Sequence, residues 1–336
     1  MKERMISGGR PTGKLHLGHY VGAFKTFVEM QENYENYFII SDLHMLTTKS
    51  RKKDIDTIFD NAINEVIDAI GMGVDPDVTS FYLQSQIPSL SHIYGIFQNY
   101  VNINRINNTP SLLEMSKHSN NDELSLGLIA YPVMEAADVY SLDASIVPVG
   151  KDNIDHILIT QEIIKYLNNE FDLNIRVPDY VTTDNNHIVG LDGSNKMSKS
   201  LNNAIYIRDN EEDVNKKIDN MKWTNSNDKE LNVVLEYIKI FAPMDYLKIL
   251  EMYNSNMIGE QEAKKILKES LNSLLDPMRK RMEPYVKDKT LAFEILYGGT
   301  KDVKKIVDSA MYQLRDNIGL PNLDNQYKRY ARVKRK

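Results

Sequence analysis

Short apolar runs alternate with helical hydrophobic patterns in the first half of the chain, and this alternation constrains the fold more than any other feature. The runs at residues 5–7, 37–41, 79–83 and 145–149 are predicted strands. Between the second and third runs, apolar residues from Ile55 to Ile70 recur at the spacing of a helix with one buried face. Gly71 and Gly73 end that pattern. We therefore predict a parallel sheet that is covered by helices through right-handed crossovers.

Helical patterns replace the strand signals from about Ile205 onward. They occupy residues 237–253, 260–275 and 303–314. Asp276-Pro277 is predicted to end or kink one helix, and Gly298-Gly299 is predicted to separate the last two. With 336 residues, the chain exceeds the usual length of one domain. We predict an α/β parallel-sheet domain at residues 1–204 and a mostly α-helical domain at residues 205–336.

Composition excludes several classes of protein. Hydrophobic residues make up 42% and charged residues 26%, which excludes a disordered or collagen-like chain. Lys and Arg total 41 against 47 Asp and Glu, so the net charge is −6 and any nucleic-acid contact must use a local basic patch. The absence of cysteine excludes disulfides and a cysteine nucleophile. Without a signal-like N-terminus or a long apolar stretch, we expect a cytoplasmic protein with no membrane segment.

A glycine-rich segment, residues 8–20, follows the first predicted strand and opens the first helix. Glycines allow the backbone to approach an anion, and the free amides of a helix start favour negative charge. His16 and His19 lie three residues apart, so a helical turn places both imidazoles on one face, where they can reach the same phosphate. Gly18 between them leaves room for a base or a ribose. As an alternative, both histidines are capping or packing residues of the helix start.

A second motif, Lys196-Met197-Ser198-Lys199-Ser200, follows the glycine-rich residues 190–194. Two lysines beside small hydroxyl residues are suited to binding a polyphosphate, although such a loop alone is usually solvated surface. Because the motif comes after the last predicted strand, it should lie at the carboxyl edge of the sheet beside His16 and His19. The two motifs together predict a nucleotide site.

On these residues the chain resembles class I aminoacyl-tRNA synthetases, whose signatures are His-Ile-Gly-His and Lys-Met-Ser-Lys-Ser. The contexts at residues 11–22 and 147–152 are similar to those of the bacterial tryptophanyl type. The resemblance covers nearly the whole chain. It implies a Rossmann-like catalytic domain, followed by a helical domain that binds the tRNA anticodon.

The resemblance also implies a reaction and its partners. ATP and L-tryptophan would form tryptophanyl-adenylate and pyrophosphate, and tRNA(Trp) would then receive the tryptophanyl group. We expect a homodimer, with Mg²⁺ carried by the ATP phosphates and no fixed metal site in the protein. By resemblance, His16 and His19 act at the α-phosphate, and Lys196 and Lys199 hold the β and γ phosphates. The other implied ATP-site residues are Arg10, Pro11, Thr12, Gly18, Gly150, Lys151, Asp152 at the ribose, Ile188 at the adenine, Met197, Ser198 and Ser200.

Amino-acid selection follows from the hydrogen bonds of indole, which has one donor and no acceptor and so needs one fixed acceptor among apolar walls. The resemblance assigns that acceptor to Asp138, which would otherwise be a helix-surface carboxylate. It adds Tyr131 and His44 as lining residues. The implied apolar wall consists of Ile6, Val147 and Val149.

Three positions depart from the family pattern. Glu135 stands where many members have methionine, and we hypothesise that it binds the substrate α-ammonium. Asn153 replaces a common glutamine, and Ile6 replaces an aromatic residue.

Three other functions compete with this interpretation. A tyrosyl-tRNA synthetase shares the spacing from Tyr131 to Asp138, and an aspartate accepts equally well from a phenol. A small-molecule nucleotidyltransferase shares the histidine motif, but it would not need the helical half. A non-catalytic RNA-binding relative would not need the lysines of the second motif. Candidate tRNA contacts are Lys264, Lys265, Lys268, Arg279, Lys280, Arg281 and the basic tail at residues 328–336.

Overall fold

A five-stranded parallel sheet organises the protein, as seen in a computed structural model that describes residues 2–110, 112, 124–182, 188–194, 196–199, 201–226, 231–323 and 326–327. The strand order is β3-β2-β1-β4-β5, and each neighbouring pair is parallel. The strands are β1 (Arg4–Gly9), β2 (Glu35–Ile40), β3 (Thr79–Leu83), β4 (Ile146–Val149) and β5 (Asp179–Thr182). The order reverses between β1 and β4, which is where a doubly wound sheet forms a crevice for ligands.

Helices cover the sheet and form the second half of the chain. In the described ranges they are α1 (Leu17–His19), α2 (Lys25–Met30), α3 (Asp42–Leu46), α4 (Lys52–Ile55), α5 (Ile58–Met72), α6 (Pro88–Phe97), α7 (Ile103–Asn107), α8 (Leu126–Ser141), α9 (Ile154–Phe171), α10 (Glu211–Asp219), α11 (Val233–Phe241), α12 (Pro243–Asn254), α13 (Glu260–Lys287) and α14 (Lys289–Asn317). A π-helical turn at Tyr20–Phe24 joins α1 to α2. Short 3-10 turns occur at Gln31–Asn33, Gln84–Gln86 and Lys151–Asn153.

The α/β prediction for the first half is confirmed. All four predicted strands are present, and α5 ends at Met72 as expected. The sequence did not reveal β5, because its four residues, Asp-Tyr-Val-Thr, give too short an apolar run to stand out. This strand pairs with β4 and completes the sheet.

The second half is helical, as predicted, but three of its helix boundaries differ. The pattern at residues 237–253 is split, since Pro243 begins α12 and cannot continue α11. Conversely, α13 does not end at Pro277 but continues to Lys287, with buried side chains on both sides of the proline: Leu271, Leu275, Met278 and Met282. The alternative, a kink at Pro277, stays a prediction. The predicted separation at Gly298-Gly299 is also wrong, since α14 continues through both glycines.

Two hydrophobic clusters occupy the two faces of the sheet. Met5 and Phe38 belong to one cluster, whereas their neighbours Ile6 and Ile39 belong to the other, as expected for alternating side chains of a strand. Both clusters also take residues from the C-terminal helices, including Leu296 in the first and Val307 in the second. The division at residue 204 stays a prediction. None of the helices in the described ranges combines the length and apolar character that a membrane span requires.

Candidate active site

His16 and His19 form the N-terminal cap of α1. The Gly18 backbone N–H donates to His16 Nδ1 across 3.2 Å, and the His16 N–H donates to His19 Nδ1 across 3.1 Å. The ring centroids lie 3.9 Å apart. A Cβ atom on residue 18 would lie 3.0 Å from the His16 ring, a tighter contact than most Cβ atoms make. Capping therefore holds both imidazoles side by side, and the predicted space for a base at Gly18 stays a prediction.

Capping also fixes the protonation of both rings. Each Nδ1 accepts a hydrogen bond and must carry a lone pair, so the neutral ring bears its hydrogen on Nε2. Burial lowers the pKa of His16 to about 4, and the charges of Lys199 and Lys196 act in the same direction. Burial likewise holds the pKa of His19 well below its ordinary value. At neutral pH the pair offers two uncharged Nε2–H donors.

Backbone pairing brings the lysine motif beside the histidines. The Leu17 N–H donates to the Ile205 carbonyl, and the Ile207 N–H donates to the Leu15 carbonyl, both across 3.0 Å. Lys199 Nζ donates to the Gly13 carbonyl across 3.0 Å. Burial lowers the pKa of Lys199. The structure thus places a lysine ammonium against the glycine-rich loop at the carboxyl edge of the sheet.

Two hydrogen bonds donated by backbone N–H groups hold the lysine loop in place. The Met197 N–H donates to the Ile188 carbonyl across 2.8 Å, and the Ser198 N–H donates to Asn203 Oδ1 across 2.8 Å. The Met197 side chain is buried in the first hydrophobic cluster, whereas Lys196 is exposed. These contacts fix the loop at Met197 and Ser198. The Lys196 side chain stays at the surface.

Asp138 is a buried carboxylate held by two donors. His44 Nε2–H donates to its Oδ2 across 3.0 Å, and the Gln84 amide donates to both carboxylate oxygens at 2.9 and 3.0 Å. Burial raises the pKa of Asp138, while the hydrogen bonds from His44 and Gln84 oppose the rise. Gln84 Oε1 is buried and has no hydrogen-bond partner among the described residues. Asp138 is therefore not a helix-surface carboxylate.

Other predicted pocket residues are buried or in ring contact. Ile6, Val147 and Val149 are buried in the second hydrophobic cluster, together with Ala136 and Ala137 from the helix that carries Asp138. In addition, the Tyr131 ring meets the His44 ring edge-on, with a centroid distance of 6.3 Å. The roles of Ile6, Val147 and Val149 as the apolar wall for an indole stay predictions.

A second series of hydrogen-bonded side chains begins at Glu135, one helical turn before Asp138. Glu135 Oε2 accepts from His156 Nδ1–H across 2.9 Å, and His156 Nε2 lies 2.8 Å from the Tyr131 hydroxyl. Burial alone would raise the pKa of Glu135, but the charge and hydrogen bond of His156 bring it below its ordinary value. Glu135 is thus ionised beside the pocket.

Comparison with known proteins assigns the family. A family model described as tRNA synthetases class I (W and Y) matches residues 2–282. The tryptophan-tRNA ligase of Borreliella burgdorferi is 39% identical over 343 residues, covering 99% of this chain and 98% of the relative, and that of Chlamydia caviae is 36% identical over 333 residues, covering 95% and 96%. The chain belongs to the class I tRNA synthetases (W and Y).

A solved synthetase has the same overall fold. The tryptophanyl-tRNA synthetase from Campylobacter jejuni, complexed with ADP and tryptophan, is similar over 94% of this chain and 100% of its own, with a TM-score of 0.79 and 28% identity. This likeness agrees with the Rossmann-like sheet described above.

The remaining predicted residues of the synthetase lie around the same edge. Pro11 is buried, Thr12 is partly buried and Arg10 is exposed, all on the loop after β1. Gly150 and the exposed Lys151 follow β4 directly. The side chain of Asp152 and the whole of Ser200 lie outside the described residues. The individual roles of all these residues in ATP binding stay predictions.

Two residues that form hydrogen bonds with predicted pocket residues of the synthetase were not themselves predicted. Gln84 follows β3, and a polar residue at a parallel strand end was a usable signal. His156 lies on α9, and its partners Glu135 and Tyr131 lie 21 and 25 residues away on α8, so no local spacing indicated it.

A buried carboxyl group also lies beneath the glycine-rich loop of the synthetase. Glu65, on α5, packs against Gly9, and its Oε1 has no hydrogen-bond partner among the described residues. Burial raises the pKa of Glu65 to about 8, and the neighbouring Asp68 acts in the same direction. Asp68 itself accepts from the Arg208 guanidinium. Glu65 is therefore largely protonated at neutral pH.

A cavity also lies at the opposite edge of the sheet. It has a volume of about 650 Å³ and lies near Arg4, Ala144 and Pro178, each at or just before the start of a strand. Its arginines are already paired, Arg4 with Glu35 and Arg176 with Glu3. The candidate site is therefore the carboxyl edge, where the two signature motifs meet.

Proposed function

We propose that this synthetase is a tryptophan-tRNA ligase, which activates L-tryptophan with ATP and transfers it to tRNA(Trp). The observation that carries the proposal is the buried Asp138 carboxylate, held by His44 and Gln84. An indole presents one N–H donor and an apolar body, so it needs one fixed acceptor of this kind. The near full-length similarity to tryptophan-tRNA ligases supports the same substrate over tyrosine.

In the first step, the tryptophan carboxylate attacks the α-phosphate of ATP and pyrophosphate departs. The neutral Nε2–H groups of His16 and His19 donate to the α-phosphate oxygens as charge develops there. Lys199 and Lys196 bind the departing β and γ phosphates. Because the histidines are uncharged, the positive charge at the site is concentrated on the leaving-group side.

We propose that Mg²⁺ enters on the ATP phosphates. In the part of the chain that the structure describes, no group of three or more His, Asp or Glu side chains is placed to hold a metal ion. The phosphate oxygens of ATP are hard ligands of the kind that Mg²⁺ prefers. We assign no step of the reaction to the ion.

The tRNA is proposed to bind along the helical half, residues 205–336, on a smaller basic surface than the sequence suggested. Lys264 is buried, and its Nζ donates to the Asp219 and Met221 carbonyls, both at 2.8 Å. Arg279 and Arg281 donate to backbone carbonyls of Asp209 and Gly71. These three residues fasten α13 to its neighbours and are poor candidates for phosphate contacts.

Two candidate lysines, Lys265 and Lys280, lie on the exposed face of α13. Of the candidates on this helix, Lys268 pairs with Asp219 across 2.6 Å and Lys280 pairs with Asp276 across 3.5 Å. The basic tail at residues 328–336 lies outside the described residues. By resemblance to the family, we further propose a homodimer that acts in the cytoplasm, which analytical ultracentrifugation and cell fractionation would test.

Amino-acid-dependent exchange of labelled pyrophosphate into ATP tests the activation step without tRNA. We expect exchange with tryptophan and little with tyrosine. Asp138→Asn, which preserves the size of the side chain, should reduce kcat/KM for tryptophan by about 100-fold. Asp143→Asn is the matched control, since Asp143 is exposed and lies outside the pocket. Exchange with tyrosine alone would assign the protein to tyrosine, and no exchange with either would favour a non-catalytic role.

A further inference from the structure

Glu65 is a buried acid at the nucleotide site to which the proposed reaction assigns no role. Its side chain lies beneath the glycine-rich loop, and the residue is 4% exposed. A Cβ atom on Gly9 would lie 2.0 Å from Glu65 Oε1, so the carboxyl group packs against the backbone where β1 enters the loop. Oε1 has no hydrogen-bond partner among the residues that the structure describes. A buried oxygen with no donor favours the neutral form of the acid.

Charged groups act on Glu65 from three segments. Burial raises its pKa to about 8, and Asp68, one turn further along α5, acts in the same direction. Lys199 of the lysine motif and Arg10 of the glycine-rich loop oppose the rise. Because Arg10 is exposed, the half-buried Lys199 is the cation that the charge of Glu65 influences most. Four titratable side chains on the other elements packed against α5 lie elsewhere: Glu35 of β2 pairs with Arg4, Arg281 of α13 donates to the Gly71 carbonyl, Tyr20 of the π-helical turn lies near Arg281, and Lys289 of α14 lies beside Asp60.

Neutral acceptors hold the Lys199 ammonium in this structure. Its Nζ donates to the Gly13 carbonyl across 3.0 Å and to Thr12 Oγ1 across 3.4 Å. Phosphate oxygens can displace such uncharged acceptors, because a hydrogen bond to a charged acceptor is roughly twice as strong. An ionised Glu65 would compete for the same ammonium and would repel the phosphates. The neutral form of Glu65 is thus the one that suits ATP binding.

We propose that Glu65 is a positioning residue that takes up a proton when ATP binds, which leaves the Lys199 ammonium to the β and γ phosphates. This inference rests on the proposed function, because it needs ATP at the two signature motifs. The polyphosphate adds negative charge beside Glu65 and draws Lys199 away, and both effects favour the protonated acid. The proton comes from the solvent and forms the carboxylic O–H bond, while every covalent bond of ATP stays intact. By reciprocity, protonation of Glu65 strengthens ATP binding.

An apolar side chain would fill the space beneath Gly9 better than an acid. At neighbouring buried positions α5 has alanine or valine: Ala62, Val66 and Ala69. A buried carboxyl oxygen without a donor costs free energy that an apolar side chain of similar volume would not. A buried acid beside a ligand site is typical of a functional residue. The presence of an acid beneath the phosphate loop is therefore explained by the proton that it binds.

Calorimetric titration of the protein with ATP and Mg²⁺, without tryptophan, measures this proton directly. Titrations at about pH 8.5 in two buffers of different ionisation enthalpy give the number of protons taken up per ATP. The second ionisation of a phosphate lies near about pH 6, so ATP itself contributes none. The wild type should take up about half a proton more than Glu65→Gln, whose amide does not titrate. Between about pH 7 and about pH 9, the Kd for ATP should rise about fivefold more in the wild type than in Glu65→Gln.

Asp60→Asn is the matched control, because Asp60 lies on the same helix and is exposed. It should take up as many protons as the wild type. Equal uptake in the wild type and in Glu65→Gln, or no uptake in the wild type, would overturn the inference, whereas pyrophosphate exchange with tryptophan would still support the ligase function. The wild-type measurement needs no variant, so it decides even if Glu65→Gln does not fold. A wild-type protein that neither binds ATP nor catalyses exchange would overturn the proposed function and this inference together.

Discussion

Nε2 of His44 lies 3.0 Å from the Asp138 carboxylate, although 94 residues separate the two side chains in the sequence. Gln84, which follows β3, supplies the second donor to the same carboxylate. Three distant segments therefore fix one acceptor before any substrate binds. Such preorganisation avoids the cost of ordering the acceptor when the indole arrives.

His44→Ala should shift the pH dependence of tryptophan activation. The His44 hydrogen bond opposes the burial that raises the pKa of Asp138, so its loss should raise that pKa further. The acidic limb of kcat/KM for tryptophan in pyrophosphate exchange should then move to higher pH. His92→Ala, at an exposed position on α6, should leave the profile unchanged. An unshifted acidic limb in His44→Ala would contradict this account.

Lys199→Met should impair chemistry more than amino-acid binding. Its ammonium lies against the Gly13 carbonyl, on the phosphate side of the site and away from the Asp138 pocket. We expect kcat for pyrophosphate exchange to fall by about 100-fold or more, because charge on the leaving pyrophosphate is no longer neutralised. Tryptophan affinity by calorimetry should stay within about twofold. Lys53→Met, on exposed α4, is the control, and equal losses in both variants would argue against a specific role.

Glu65→Gln should remove a pH dependence of stability. In the folded protein the pKa of Glu65 is about 8, above the ordinary value of 4.5, so its contribution to stability is full below pH 4.5 and is lost as the pH rises through about 8. Between pH 5 and 9, the free energy of unfolding of the wild type should fall relative to Glu65→Gln by on the order of 4 kcal/mol. Urea denaturation at both pH values measures this difference. Parallel pH profiles would show that Glu65 is ionised in the folded protein.

Lys264→Met and Lys265→Met form a matched pair on α13. Lys264 is buried and donates to two backbone carbonyls and to Glu260, so its loss leaves buried acceptors unpaired. We expect the free energy of unfolding to fall by about 3 kcal/mol in Lys264→Met and by less than about 0.5 kcal/mol in Lys265→Met. Thermal denaturation would measure both. Equal stability of the two variants would contradict the anchoring role of Lys264.

The alternation of apolar runs and helical patterns predicted most of the sheet. The four strands with apolar runs were found because burial on both faces leaves a strong local signal. The boundaries of α11 to α14 were harder to predict from the sequence. Proline and glycine disfavour a helix locally, whereas the continuity of a helix also depends on its tertiary contacts. Buried side chains of α13 lie on both sides of Pro277, and Gly299 packs against β3. These contacts cannot be deduced from neighbours in sequence.

The same distinction applies to the site. The signature histidines and lysines were recognisable because each motif is contiguous. The hydrogen bond between Leu17 and Ile205 brings the two motifs together, and the helix cap fixes the histidine tautomers. Both features were seen only in the folded structure. His156 lies on a helix whose partners are distant in sequence, so no local pattern indicated it. Gln84 was open to prediction from its place directly after β3.

The contact of α14 with β3 has a consequence for synthesis of the chain. A Cβ on Gly299 would lie 2.1 Å from the Phe81 carbonyl oxygen, and the Leu83 N–H donates to Thr300 Oγ1 across 3.0 Å. The helix therefore occupies the outer margin of the strand, where another chain could otherwise add by hydrogen bonding. Leu83 and Thr300 are 217 residues apart. While the ribosome makes the intervening chain, this margin of β3 is open to pairing, and α14 covers it once it has been made.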